Sequence, residues 1–345
     1  MGVEALRAEL LDQALPMPRR FRALFGLRSV GGDAAVQALL DSLKDPSALF
    51  RHEVAFALGQ MQVTSAVATL KAVLRDEGEH SMVRHEAAEA LGAIASDECL
   101  EALETASEDP SQVVRETATL ALARLRHAQA AAAASAAAAR DAASPADPSD
   151  DASPSAGRSL GSAKERLSAA PAGAPPATDA LDADSPYISV DPVPAAHASI
   201  PTDQLRRTLL DESANMWDRY AAMFALRNRG PAAETAATLG EVLTTSASAL
   251  LKHEVCYVLG QIQEGGGGAR DALRATLEDP GEHPMVRHEA AEAIGSIAAP
   301  DTEPLLRKYR EDGDRIVAES CEVALDIMES EINGEFVPLA VEATA

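Results

Sequence analysis

The sequence predicts an all-α protein, an α-solenoid of eight helix-pair repeats in two symmetric halves of four. The first observation is an internal period. One apolar position per repeat aligns at Leu27, Leu58, Leu91 and Leu122, then at Leu226, Leu259, Ile294 and Leu325, with steps of 31 to 35 residues within each set. A sustained period of that size marks stacked helix pairs, and four units exceed the roughly three needed for a shared core. The second is that the halves repeat one another: GEHSMVRHEAAEALGAIA (78–95) returns as GEHPMVRHEAAEAIGSIA (281–298), and RHEVAFALGQMQ (51–62) as KHEVCYVLGQIQ (252–263). The third is composition. Apolar residues reach 46% but aromatics only 3%, with Ala dominant, which favours many small helix contacts over one thick core.

Taken in order, residues 1–127 form the N-terminal half. Its first unit carries FRALFGLR, its second RHEVAFALGQMQ and its third MVRHEAAEALGAI. Asp45-Pro46 and Asp109-Pro110 end one helix and set up the next, as Asp279-Pro280 does later. In the fourth unit Glu116 takes the slot that His holds earlier, as Glu319 does in the eighth, which reads as a capping repeat where the pattern decays. Residues 128–200 are Ala-, Pro- and Ser-rich and lack the bulky apolar residues that offset ordering entropy. A flexible linker is expected, with the alanine tract near 128–140 extending the preceding helix and the halves free to take almost any mutual orientation. Residues 201–330 form the C-terminal half, and 331–345 a tail. Gly59, Gly92, Gly260 and Gly295 each cost about 1 kcal/mol in a helix interior, and close helix approach is sufficient reason for them.

Histidine is scarce, eight in the chain, yet half stand in one frame: Arg51-His52-Glu53, Arg84-His85-Glu86, Lys252-His253-Glu254 and Arg287-His288-Glu289. At about 100° per residue, Val54, Leu58 and Met61 share an apolar stripe opposite His52, so these histidines do not belong to the hydrophobic face. A solvated residue at a helix start explains one such histidine. Four equivalents in adjacent repeats, about 10 Å apart by helix packing, point instead to convergence. Imidazoles alternating with carboxylates in two matched pairs suit a two-metal site. The basic residue before each His is unfavourable at a helix N-terminus and is expected to pair locally with a carboxylate. Glu89 and Glu292, four residues after His85 and His288, share their helical face and are open as ligands or as supports for ligands. His80 and His283 are expected in turns, and His127 and His197 at or in the linker, solvated.

The formal charge of −24 opposes nucleic-acid binding and fits a cationic partner. Cys99, Cys256 and Cys321 lie far apart with no CxxC pair, which suggests a reduced compartment and no sulfur-built zinc site. With no signal-peptide pattern and no run long enough to span a bilayer, a cytoplasmic protein without membrane association is expected.

Over residues 18–126 and 203–328 these motifs resemble deoxyhypusine hydroxylase, a family of HEAT-repeat di-iron monooxygenases. The resemblance implies HEAT-like repeats whose halves face one another with two Fe(II) ions between them and O2 as co-substrate. The implied reaction is hydroxylation of the deoxyhypusine side chain on eukaryotic translation factor 5A, with an external electron donor that the resemblance does not specify. It assigns His52, His85 and Glu86 to one iron, and His253, His288 and Glu289 to the other. Glu53 and Glu254 then orient ligands or receive the substrate amines, while Met82 and Met285 line the substrate pocket. The helical wheel pairs His85 with Glu89, whereas the resemblance pairs it with Glu86. The alternative is a non-enzymatic HEAT-repeat interaction scaffold, with or without structural metal. A kinship with HEAT-repeat bilin lyases rests on the shared repeat alone.

Overall fold

The computed structural model describes residues 2–142, 185–187, 189–263 and 267–334. These contain sixteen α-helices and no strand. The N-terminal half is α1 (Val3–Leu11), α2 (Met17–Val30), α3 (Gly32–Ser42), α4 (Ala48–Gln60), α5 (Val67–Arg75), α6 (Ser81–Ile94), α7 (Leu100–Ala106) and α8 (Gln112–Ala142). The C-terminal half is α9 (Thr202–Leu210), α10 (Met216–Arg227), α11 (Ala233–Thr245), α12 (Ala249–Ile262), α13 (Gly267–Glu278), α14 (Pro284–Ile297), α15 (Glu303–Tyr309) and α16 (Arg315–Asn333).

Each odd-numbered helix is an outer element and each even-numbered one an inner element. Outer α5 buries the single stripe Val67, Leu70 and Leu74, the pattern of a helix with one wet face. Inner α6 is buried nearly all round, from Met82 to Ala93, because it packs on outer and inner neighbours alike. Inner helices contact in sequence, α2 to α8 and α10 to α16. The arrays do not end there: α8 also packs on α10 and α12, and α16 on α2 and α4. Eight inner helices therefore close into a ring. The fourth and eighth repeats are interfaces between halves, not the free caps expected from their decayed motif.

A recurrent arginine stitches the repeats. The Nε of Arg20, Arg84, Arg219 and Arg287 donates to the carbonyl ten residues earlier, on the outer helix of the same pair, at 2.9–3.1 Å. Arg20 and Arg84 also reach Asp45 and Asp109 in the next turn, and Arg287 reaches Asp312 at 2.7 Å. Arg51 pairs with Glu79 at 2.5 Å and Lys252 with Glu282 at 2.7 Å. The basic residue of the His-Glu frame thus finds its carboxylate in the following repeat, a correction to the expected local pairing. Its long side chain bridges stacked units instead of sitting over its own helix start.

Glycine permits the tight spacing of inner helices. A Cβ on Gly92 would lie 2.7 Å from the Ala121 Cβ, and one on Gly295 2.5 Å from the Ala324 carbonyl oxygen. Residues 128–142 continue α8, and most of the expected linker and tail falls outside the described residues. Its last part runs against the ring: Val193 is fully buried, and the Ala196 N–H donates to the Ala221 carbonyl at 2.9 Å. No helix among the described residues is long and apolar enough to cross a membrane. The three cysteines are free and buried.

Candidate metal centre

The inner helices α4, α6, α12 and α14 aim the fifth and sixth residues from their starts at the ring axis. Ser47 and Ser248 cap α4 and α12 through the Phe50 and Leu251 N–H groups, both at 3.1 Å. His80 and His283, expected in turns, are the caps of α6 and α14; their Nδ1 atoms accept from the Met82 and Met285 N–H groups, both at 3.2 Å. Such caps fix where each helix starts and so where the side chains of its opening turns point.

The four frame histidines meet there. Ring centroids stand 5.5 Å apart for His52–His85 and 5.3 Å for His253–His288 within the halves. Across the halves they stand 5.1 Å apart for His52–His288 and 5.4 Å for His85–His253. All four are buried, although none lies on an apolar stripe. The wheel was right about the face. The opposite face is buried too, because a second half covers it.

Two similar clusters result. In the first, one oxygen of Glu86 lies 3.2 Å from His52 Nε2 and 3.8 Å from His85 Nε2. In the second, one oxygen of Glu289 lies 3.4 Å from His253 Nε2 and 3.8 Å from His288 Nε2. The Nε2 atoms of all four histidines are buried without a hydrogen bond. Buried polar atoms ordinarily find partners, and close approach without hydrogen-bond alignment is what a shared cation between the groups produces. The donor set of imidazole and carboxylate fits a divalent first-row ion. Of the two sets, His253/His288/Glu289 has ligand atoms all within 4.8 Å of one another; at the first cluster the groups that meet this distance are His85/Glu86/Glu89 and, across the halves, His52/His85/His253. The approach of one Glu oxygen to two imidazole Nε2 atoms recurs in both halves.

Carboxylates back the rings from behind. Glu53 lies 3.2 Å from His52 Nδ1, the contact that orients a ligating imidazole, while Glu292 stands 3.5 Å from His288 Nδ1 without a hydrogen bond. His85 Nδ1 instead meets Thr117 Oγ1 at 3.4 Å. Burial opposes a charge on His52, yet Glu53 and Glu86 hold its pKa well above the ordinary histidine value. Burial, joined by the neighbouring imidazoles, pushes His85 and His288 well below it. Burial and then Glu86 raise Glu89 to about 8; burial and then Glu89 raise Glu254, and burial and then Glu53 raise Glu292. This many acids in one dry place are stable as anions only beside added positive charge.

A cavity of about 420 Å³ opens from the clusters toward the C-terminal ends of the inner helices, past Phe56 and Tyr257, whose rings meet across the halves at 5.9 Å. Glu53, Glu89, Glu254 and Glu292 all line it. Met82 and Met285 are completely buried in the hydrophobic core and are not among its lining residues. His197 is exposed, as expected. His127 is exposed as well, yet its ring stands 5.7 Å from Trp217 of the other half.

Sequence reasoning missed the residues that close the cavity. Gln60 and Gln261 follow the glycine of equivalent repeats and bind the segment at 189–191, a signal present in the LGQ motif but not read. Asp191 lies in the low-complexity stretch, where nothing marked it. It is buried and bonded to Arg227 at 2.8 Å.

Comparison with known proteins agrees with this architecture. HEAT repeats match residues 3–81, 77–147 and 236–326. The chain is 43% identical to deoxyhypusine hydroxylase-B of Oryza sativa subsp. japonica, over 94% of this chain and 92% of that one. It is 42% identical to deoxyhypusine hydroxylase of Danio rerio, over 97% and 94%. The solved structure of human deoxyhypusine hydroxylase in complex with glycerol superposes with a TM-score of 0.77 at 41% identity, covering 95% of this chain and 96% of that one. The chain therefore belongs to the deoxyhypusine hydroxylase family.

Proposed function

We propose that this protein hydroxylates the deoxyhypusine side chain of translation factor 5A, with two iron ions and O2. The carrying observation is the pair of matched clusters, each placing one carboxylate oxygen within 3.2–3.8 Å of two imidazole Nε2 atoms. In this reading His52, His85 and Glu86 hold one ion, and His253, His288 and Glu289 the other. When bound, the iron pair supplies activation of O2, which no protein side chain can perform. One oxygen atom enters a C–H bond of the substrate, and the other leaves as water with two electrons from an external donor and two protons.

The chain's own residues do the rest. Glu53 orients His52 through its Nδ1 atom, and Glu292 places a carboxylate beside His288 Nδ1. Glu89 and Glu254 face the cavity and repel one another, so a cationic, polyamine-like chain relieves that repulsion on entering. Phe56 and Tyr257 form an apolar lip for its methylenes. The protein substrate makes the chain's strong negative charge an asset for encounter. The test is turnover: iron-loaded protein with reductant, air and a deoxyhypusine-bearing substrate should add one oxygen atom, read by mass spectrometry. Iron-loaded protein that leaves the substrate unchanged would favour the interaction scaffold.

A further inference from the structure

The near-identity of the halves gives the ring two equivalent approaches to the clusters. One runs past Glu89 between α6 and α8, the other past Glu292 between α14 and α16. Among the described residues, only the first is filled. Pro192 lies there against Glu89, Gly92 and Leu120, leaving about 10 Å³ of space. The segment is held from several sides. Gln60 accepts from the Val190 N–H at 2.8 Å and donates to its carbonyl at 3.2 Å, and Gln261 donates to Ser189 at 3.1 Å. Arg124 donates to the Asp191 carbonyl, while the Asp191 carboxylate accepts from Arg227 at 2.8 Å.

Equivalent positions show the asymmetry. Arg124 corresponds in the repeat to Ile327, and Phe224 to Phe25. Phe224 is fully buried, with the Arg227 guanidinium 4.7 Å from its ring centre, whereas Phe25 and Ile327 line the open cavity. On that side the cavity continues past Ala293 and Ser296 to Glu331, a half-buried acid at its rim whose counterpart on α8 is Ala128. The connecting segment thus makes two near-identical metal clusters inequivalent to anything arriving from outside.

We propose that the substrate's cationic side chain enters only along α14 and α16, with Glu331 as the acid it meets first, so that the C-terminal cluster faces the substrate. This deepens the proposed function and rests on it for the substrate's chemistry. The test measures binding of a deoxyhypusine-bearing peptide to the metal-loaded protein, beside turnover. Glu331→Lys, a like charge in a partly solvated mouth, should weaken binding and raise KM about tenfold, with kcat and metal content kept. Ser296→Trp should obstruct the same path, with metal content as its check on folding. Ala128→Lys on the filled side should bind as the parent does. Equal weakening by Ala128→Lys, or parental binding by Glu331→Lys, would overturn the proposed route, as would a parent that binds no peptide. A parent that binds the peptide without hydroxylating it leaves the route judged by binding, while the reaction reading falls.

Discussion

The Ser47 hydroxyl, cap of the helix that carries His52, donates across the halves to Glu319 at 2.5 Å. Ser248, cap of the helix that carries His253, does the same to Glu116 at 2.7 Å. In the proposed assignment each ion is held within one half, so the separation between the two is set by contacts between halves, and these two sit at the starts of the proposed ligand helices. Replacing both acids by Ala should cost about 3–6 kcal/mol, two hydrogen bonds to charged groups. It should leave two ions bound and weaken their magnetic coupling, read by electron paramagnetic resonance. The double Gln variant keeps an acceptor and should restore the coupling. Unaltered coupling in the Ala variant would show that the clasp only stabilises.

Metal uptake should release protons. His52 is held protonated by Glu53 and Glu86 in the metal-free protein, and a ligand imidazole must be neutral. Glu89, raised to about 8, is mostly protonated at pH 7 and should ionise beside bound cations. Its share of the release should fade as pH rises through about 8, and metal affinity should drop in acid. Titration calorimetry in buffers of different ionisation enthalpy checks this; heats independent of buffer at pH 7 would contradict it.

Gly92→Ala should destabilise by about 1–3 kcal/mol, because the new methyl would stand 2.7 Å from the Ala121 Cβ between two packed inner helices. The same change at Gly313, where nothing lies within 4 Å, should have little steric effect. Thermal melts of the two variants decide it.

Asp191→Ala removes the partner of a fully buried guanidinium, Arg227, and should cost about 3 kcal/mol. It should also release the segment that fills the space over Glu89. Limited proteolysis near residues 185–193 should then accelerate, while metal content stays at two per chain. An unchanged melt and unchanged cleavage would mean that the segment is held elsewhere.

The fold was legible because periodicity needs no partner to be read: the spacing from Leu27 to Leu122 and from Leu226 to Leu325 finds every inner helix. The frame of four His-Glu pairs was legible for the same reason. Ring closure was not, since it depends on which surfaces of α8 and α16 meet the other half, and Glu116 and Glu319 carry no such mark. Asp191 was hidden by composition, because a buried ion pair formed by a connecting segment leaves no period. The helical wheel put Glu89 on the His85 face, correctly. It could not show that Glu86, one residue on, lies nearer His52 of the adjacent helix, at 3.2 Å.

In the proposed reading each half holds one ion by itself. Iron content after anaerobic loading tests it most directly, measured on the parent, His85→Ala and His288→Ala. Two irons per chain in the parent, and one in each variant with the melt retained and hydroxylation lost, is the predicted result. A parent that binds no iron, or a single substitution that leaves both ions in place, would contradict it.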